Sequence, residues 1–210
     1  MSVVTGRSDA KSRPARPRSQ PGTAPRMRRL ARRDQLLAAA TRAFARNGFA
    51  ATNLDDVAQE ASISKVLLYR HFDSKMDLYR AVLERSAEHL ASRVGRDQFT
   101  RHSIRALLEA AAEDPDGFRL LFHHAAREPD FRSEMDRFRA ASVDTARREL
   151  AQQISDPIWR GWAAQLAATL AVDAVIAWLD AGQPDLDSAA RRIGRILEAV
   201  VRAAQLPAGR

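Results

Sequence analysis

The 210-residue sequence contains no cysteine, and no apolar run in it approaches the ~20 residues of a membrane-spanning helix. Without cysteine there are no disulfides and no thiolate metal sites, which fits an intracellular, reducing compartment. The N-terminus lacks the apolar segment of a secretory signal. The two-residue alternation of half-buried strands is also missing. We therefore expect an all-α, cytoplasmic protein with no membrane partner.

Signatures of catalysis are absent as well. The sequence has no glycine-rich phosphate loop, no nucleophile elbow and no His/Glu pair at metal-binding spacing. The adjacent His123 and His124 do not form a metal site, because neighbouring side chains on a helix point about 100° apart. We expect neither an enzyme nor a cofactor or metal site.

The positive charge is concentrated in the first 33 residues. The formal net charge is +8, yet residues 1–33 contain ten basic residues and one acidic residue, which gives +9 and leaves −1 for the rest. Residues 1–27 also contain four prolines, and this composition predicts a disordered basic arm. Such an arm favours a polyanionic partner and can follow a DNA backbone or enter the minor groove. A solvated tail that only aids solubility remains the alternative.

Two helices are predicted between residues 33 and 61. Apolar residues recur every three to four positions from Leu36 to Phe44, and Gly48 is placed for a left-handed cap that ends this helix. Thr52 and Asn53 are residues of the N-cap type, followed three places later by an aspartate, which predicts the start of a short second helix.

A tight turn and two further helices follow. Residues 62–64 form the predicted turn, and Ser64 caps a short helix over residues 66–72. Ser74 caps the next helix, with Asp77 at the spacing of a capping box. Two short capped helices joined by about four residues have the spacing of a helix-turn-helix, whose second helix enters the major groove of DNA.

The residues of this region resemble those of TetR-type transcriptional regulators over about fifty positions. The matching residues are Phe44, Gly48-Phe49, Val57-Ala58, Ile63-Ser64, the run Leu68-Tyr69-Arg70-His71-Phe72, and Lys75. Two positions depart from the family pattern. Ser62 stands where glycine is usual, and a left-handed backbone there costs serine more. Leu67 replaces a common threonine and leaves an apolar contact, such as one to a thymine methyl.

The resemblance implies which residues contact DNA. Lys65, Val66 and Leu67 would face base edges, with Lys65 donating to guanine. Tyr69 would contact a phosphate or stack on a sugar and base, while His71 and Lys75 would hold phosphates. Three capping residues, Thr52, Asn53 and Ser64, would also reach the DNA backbone. The complete predicted set is Thr52, Asn53, Ser64, Lys65, Val66, Leu67, Tyr69, His71 and Lys75.

The last two predicted helices, residues 158–180 and 186–204, are apolar on more than one side. Such helices have more surface to bury than one subunit requires, so we expect them to pair with a second copy in a four-helix interface. The alternative is a helix buried wholly within its own domain. The predicted interface residues are Ala163, Leu166, Ala167, Leu170, Ala174, Trp178, Ile193, Leu197 and Val200.

The remaining helical body contains enough aromatic residues to line a ligand cavity, although such residues also make ordinary core. The predicted ligand-binding residues are Phe118, Phe122, His123, Phe131, Met135, Phe138 and Trp162. The body is similar, more loosely, to actinobacterial members of the family that sense fatty acyl chains. The implied effector is thus a fatty acyl or other hydrophobic compound.

These observations predict an all-α protein of about nine helices with three regions. They are the arm (residues 1–27), the helix-turn-helix domain (28–80) and the ligand-binding and dimerisation domain (81–206). We expect a homodimeric repressor that leaves a near-palindromic double-stranded DNA operator when a small molecule binds. The main alternative is an architectural, largely non-specific DNA-binding protein driven by the arm; a helical carrier or enzyme is a more distant one.

Overall fold

The computed structural model describes residues 23–95 and 101–207, with side chains from 31–95 and 103–207. Within these residues the chain forms nine α-helices and no strand, which confirms the predicted all-α class. The helices are α1 (Thr23–Ala51), α2 (Leu54–Glu60), α3 (Lys65–Tyr69), α4 (Lys75–Val94), α5 (Arg101–Glu113), α6 (Pro115–Arg119), α7 (Arg132–Glu149), α8 (Pro157–Asp180) and α9 (Leu186–Ala204).

Helix α1 begins earlier than predicted and is interrupted at Gly48. It starts at Thr23, inside the stretch expected to be a disordered arm; residues 1–22 of that arm lie outside the described residues. Gly48 has φ 74° and ψ 171°, so it breaks the helix as expected, but in an extended region open only to glycine and not in the left-handed helical one.

Side-chain caps start α2, α3 and α4. Asn53 accepts from the Asp56 N–H at 2.8 Å, and the Asp56 carboxylate accepts from the Asn53 N–H at 3.1 Å, which is a complete capping box. The hydroxyl of Ser64 accepts from the N–H of Leu67, and that of Ser74 accepts from the N–H of Asp77. The predicted helix starts at 53, 64 and 74 are therefore confirmed.

Helix α4 passes without a break through the predicted domain boundary between residues 80 and 81. Its buried residues include Tyr79, Val82 and Leu90, which join one hydrophobic core. That core runs from Leu36 of α1 to Leu197 of α9, so the helix-turn-helix and the body share their packing.

The segment predicted as one helix over residues 116–127 changes its winding. After α6 it becomes a π-helical turn, Leu120–His124, and then a 3-10 turn, Ala125–Arg127. Asp114 caps α6 by accepting from the Gly117 N–H at 3.1 Å, with Pro115 in the first turn as predicted. A second 3-10 turn, Pro129–Phe131, leads into α7.

Helix α8 lies between α7 and α9 and is the longest apolar element of the body. Contrary to the sequence expectation, it is long and apolar enough to cross a membrane on length and composition alone, and it is the one such helix in the described part of the chain. Ala167, Ala171 and Val175 lie in the hydrophobic core, which indicates a core helix.

Candidate functional site

Helix α3 presents an exposed surface that no other described part of the chain covers. Leu68 is fully buried and anchors the helix in the core, whereas Val66 is 73% exposed and Tyr69 47% exposed. A valine and a tyrosine exposed three residues apart on one short, capped helix form a small apolar patch of the kind found at interaction sites. The surface also contains Ser64 and Lys65, so it combines hydroxyl, ammonium, apolar and aromatic groups suited to a major groove.

Lys65 is held by a neighbour from the other helix of the motif. Its Nζ lies 2.8 Å from the Asp55 carboxylate, and both side chains are exposed. The hydrogen bond to Asp55 raises the pKa of the Lys65 ammonium, which therefore stays charged at neutral pH. Lys65 is thus accessible to DNA, but its position is set by Asp55, a residue absent from the predicted site.

Lys75, predicted to contact a phosphate, makes internal contacts in the structure. Its ammonium donates to the carbonyls of Phe49 (2.9 Å), Ala50 (3.2 Å) and Thr52 (3.0 Å). It also lies 4.5 Å from the centroid of the Phe49 ring. All three ammonium hydrogens are therefore used inside the protein, where they satisfy carbonyls at the end of α1. Its sequence position alone did not indicate this role.

Thr52 likewise has a buried side chain, and Asn53, not Thr52, is the cap of α2. Thr52 is 1% exposed, and its hydroxyl donates to the Gly48 carbonyl at 2.7 Å, so it fixes the chain after the break in α1. Asn53 and Ser64 are exposed caps, while Leu67 and His71 are half-buried beside them. Of the predicted DNA contacts, Asn53, Ser64, Lys65, Val66 and Tyr69 are those with exposed side chains.

Ser62 adopts the left-handed backbone that the missing glycine would favour, with φ 53°. This conformation costs a non-glycine residue roughly 1–2 kcal/mol. The turn is nevertheless held by two backbone hydrogen bonds, from Ser62 to Gln59 and from Ile63 to Ala58, each 3.0 Å. Ile63 packs against the core between α2 and α3, as predicted.

A cavity of about 670 Å³ lies in the body between α4, α5, α7 and α8. Its inner wall is mostly apolar and includes Leu90, Ile104 and Ala171, which are almost fully buried, beside the buried hydroxyl residues Ser103 and Thr145. Exposed Glu88 and Arg148 stand at the rim of the cavity. The arrangement suits a ligand whose larger part is apolar and whose polar group remains at the opening.

Two of the predicted ligand-binding residues, Phe122 and Phe138, line this cavity, with ring centroids 5.7 Å apart. The structure places the other five elsewhere, because their faces of the helices turn away from it. Phe118 and Phe131 are buried in the core, Met135 packs half-buried against it, and His123 and Trp162 are exposed. Sequence reasoning missed the cavity residues of α4 and α5, whose apolar spacing is that of ordinary core.

Phe131 belongs to an aromatic cluster that joins the body to the helix-turn-helix. Its ring lies 4.7 Å from that of Tyr79 and 5.4 Å from that of Phe49, and Phe44 packs on the far side of Tyr79 at 4.8 Å. Burial raises the pKa of the Tyr79 hydroxyl, which has no hydrogen-bond partner among the described atoms. Because Phe131 immediately precedes α7, these rings form a continuous contact between a cavity-lining helix and the end of α1.

Most of the predicted dimer-interface residues are buried within their own chain. Six of the nine belong to the core or to a second cluster formed by α7, α8 and α9: Ala163, Ala167, Trp178, Ile193, Leu197 and Val200. Leu166, Leu170 and Ala174 are half-buried. Residues outside the prediction form the exposed apolar surface of α8 and α9, namely Ile158, Trp159 and Ile196, together with Trp162.

The capped pair α2–α3, with the exposed surface of α3, defines a helix-turn-helix DNA-binding protein. Residues 36–82 match the sequence profile of bacterial regulatory proteins of the tetR family. The chain is also 36% identical over 182 residues to the HTH-type transcriptional activator FasR of Mycolicibacterium smegmatis, covering 78% of this chain and 80% of that protein. The chain belongs to the tetR family, whose members are transcriptional regulators and not enzymes.

Solved structures share the fold over about four-fifths of this chain. A TetR-like regulator from Rhodococcus sp. RHA1 has a TM-score of 0.65 at 23% identity, covering 81% of this chain and 93% of that one. FadR from Bacillus subtilis, solved in complex with stearoyl-CoA, has a TM-score of 0.60 at 16% identity, covering 83% of this chain and all of its own. At these identities the similarity establishes the all-α architecture.

Proposed function

We propose that the protein is a homodimeric regulator that places two copies of α3 in successive major grooves of a near-palindromic operator. The observation that carries this is the exposed apolar and aromatic surface of α3, with Val66 73% and Tyr69 47% exposed. A thymine methyl would cover Val66, and a sugar or phosphate would contact Tyr69. In a two-fold dimer the half-site centres lie about 34 Å apart, or a multiple of that distance.

The exposed apolar surface of α8 and α9 supports the dimer. Trp159 and Trp162 are each 42% exposed and pack edge to face at 5.7 Å, beside Ile158 at 77%. A patch with two tryptophans fits the centre of a protein–protein interface. Sedimentation of the wild-type chain and of a Trp162→Glu variant tests this. We expect dimer for the first and monomer for the second, and Ala140→Glu, which adds the same charge at an exposed position of α7, is the matched control.

The proposed effector is a molecule with a long apolar part, such as a fatty acyl compound. The cavity of about 670 Å³ has the size of a small-molecule site, and its buried wall is mostly hydrocarbon, with the hydroxyl residues Ser103 and Thr145 as the buried polar members. FadR, which shares the fold, holds stearoyl-CoA. Displacement of a fluorescent acyl probe by acyl chains of graded length tests the class. A Phe138→Ala variant, which removes a cavity side chain, should shift the preferred length upward.

The effector controls DNA binding only if it favours one arrangement of the two α3 helices over another. We propose that the aromatic cluster around Phe131 transmits this preference from α7 to α1. A coupling of about 1–3 kcal/mol, or 5- to 150-fold in operator affinity, is sufficient for a useful switch. Operator affinity measured with and without an acyl compound gives that factor. Equal affinity in both cases would contradict effector control.

The regulator binds the operator without effector and represses transcription in the proposed scheme. The similarity to FasR, which is named an activator, favours activation as the second candidate. A reporter gene placed behind the DNA upstream of the protein's own gene separates repression from activation. Deletion of the protein raises reporter expression if it represses and lowers it if it activates. Removal of residues 1–22, the part of the predicted arm that precedes α1, tests the architectural alternative, which predicts that nearly all DNA affinity is lost.

A further inference from the structure

Asp55 is an acidic residue on the proposed DNA-binding surface that has no part in the capping of α2. The neighbouring Asp56 forms the capping box with Asn53, so its position is explained by helix initiation. The Asp55 side chain instead crosses to α3, where one carboxylate oxygen accepts from Lys65 Nζ at 2.8 Å. The two residues connect the first turns of both helices of the motif while remaining 64% and 50% exposed.

The hydrogen-bonding capacity of Lys65 fits one base in particular. An ammonium has three N–H donors, and Asp55 accepts one of them. The remaining two match the O6 and N7 acceptors that guanine presents in the major groove. Holding the ammonium also restricts a side chain that carries about 2 kcal/mol of rotamer entropy. Lys65 is thereby oriented before DNA arrives.

The orientation of Lys65 favours contact with a guanine, whereas the negative charge of Asp55 disfavours contact with DNA of any sequence. A carboxylate close to phosphates is repelled by any duplex, so it weakens binding that does not depend on sequence. The repulsion is offset where Lys65 stays beside the carboxylate and the second Asp55 oxygen accepts from a cytosine amino group. A G·C pair satisfies both conditions.

We infer that Asp55 is a specificity-determining residue: it orients Lys65 toward a guanine, and its charge penalises sites without a G·C pair at that position. The inference rests on the proposed function, because it requires α3 to lie in the major groove. Asp55 acts mainly through Lys65, so its effect should be seen in base preference and salt dependence and not only in affinity.

The test is the affinity of an Asp55→Asn variant for three kinds of duplex. They are the operator that the wild-type protein selects, single-base-pair substitutions of that operator, and an unrelated sequence. We expect the variant to bind the unrelated duplex about three- to tenfold tighter and its salt slope to steepen by up to about one. At one G·C position its preference should fall about fivefold or more. Lys65→Gln should lose preference at the same position, and the double variant should lose no more than either single change.

Asp136→Asn is the matched control, because it removes the same charge from an exposed site on α7. Thermal melting shows whether each variant folds. If Asp55→Asn does not fold, Lys65→Gln breaks the same ion pair from the other side. The inference is overturned, and the proposed function is not, if the wild-type protein binds selectively but Asp55→Asn leaves base preference and salt dependence unchanged. The same holds if Asp55→Asn changes them only as much as Asp136→Asn does. A wild-type protein without sequence selectivity overturns the proposed function as well.

Discussion

Replacement of Lys75 by methionine tests whether its ammonium stabilises the fold or binds DNA. The change keeps an unbranched apolar side chain and removes three donors to the carbonyls of Phe49, Ala50 and Thr52. Hydrogen bonds to a charged group contribute about 1.5–3 kcal/mol each, and a cation over an aromatic ring about 0.5–1. One partly exposed ammonium shares these contacts, so the sum is not additive, and we expect a loss of about 2–4 kcal/mol.

The measurement is urea unfolding followed by circular dichroism at one protein concentration, because dimerisation makes apparent stability depend on concentration. Lys65→Met is the control, since its ammonium has a single, exposed partner and its loss should change the unfolding free energy far less than the loss of Lys75. Lys75→Arg keeps the charge, but a planar guanidinium does not direct three hydrogens at three clustered carbonyls. It should therefore also lose stability.

The opposite outcome is equally definite. If Lys75→Met unfolds within about 0.5 kcal/mol of wild type while its DNA-binding salt slope falls by about one, Lys75 is a phosphate contact. The internal hydrogen bonds would then be dispensable, and the role assigned from geometry would be wrong.

Three further changes concern backbone, packing and protonation. Ser62→Gly should raise the unfolding free energy by about 0.5–1 kcal/mol, because relief of the positive φ outweighs the entropy of an extra glycine; a lower value in urea unfolding would contradict this. Gly117→Ala should lower the unfolding free energy by about 1–3 kcal/mol, since the new Cβ would clash with an Asp114 carboxylate oxygen and lie 2.6 Å from the Ser86 hydroxyl oxygen; wild-type stability would show that both side chains move freely. Burial raises the pKa of Tyr79, so the folded state holds this proton more tightly than the unfolded one. The contribution of this proton to the free energy of unfolding is therefore fully present below about pH 10 and is lost as the pH rises above it. Tyr79→Phe should remove that loss and raise stability by about 1 kcal/mol at neutral pH, because the hydroxyl has no partner; unfolding from pH 7 to 11 measures both.

Local signals predicted the helix-turn-helix well because they act over three or four residues. The capping box of Asn53 and Asp56 and the cap at Ser74 depend only on neighbouring backbone, so their spacing was sufficient. The role of Lys75 could not be predicted, since its carbonyl partners lie 23 to 26 residues earlier and approach only after α4 packs on α1.

Periodicity identified the apolar faces of the body but not what covers them. The stripe through Ala163 and Ala167 looked suited to a partner subunit, yet it packs inside its own chain, and Trp162 is on the outside. The π-helical turn at Leu120–His124 adds a second limit. It widens one turn by a residue, so a projection at 3.6 residues per turn misplaces the side chains that follow.

The continuity of α4 affects how this protein can be recombined with its relatives. Lys75 ties the first turn of the helix to α1, and Leu90 and Val94 near its other end line the cavity. A chimera joined at residue 80 would cut the helix in its first two turns and pair unmatched surfaces on both sides. A transplant of the DNA-reading unit should therefore carry α4 whole, with the junction placed after Gly95, and bring the facing aromatic Phe131 with it.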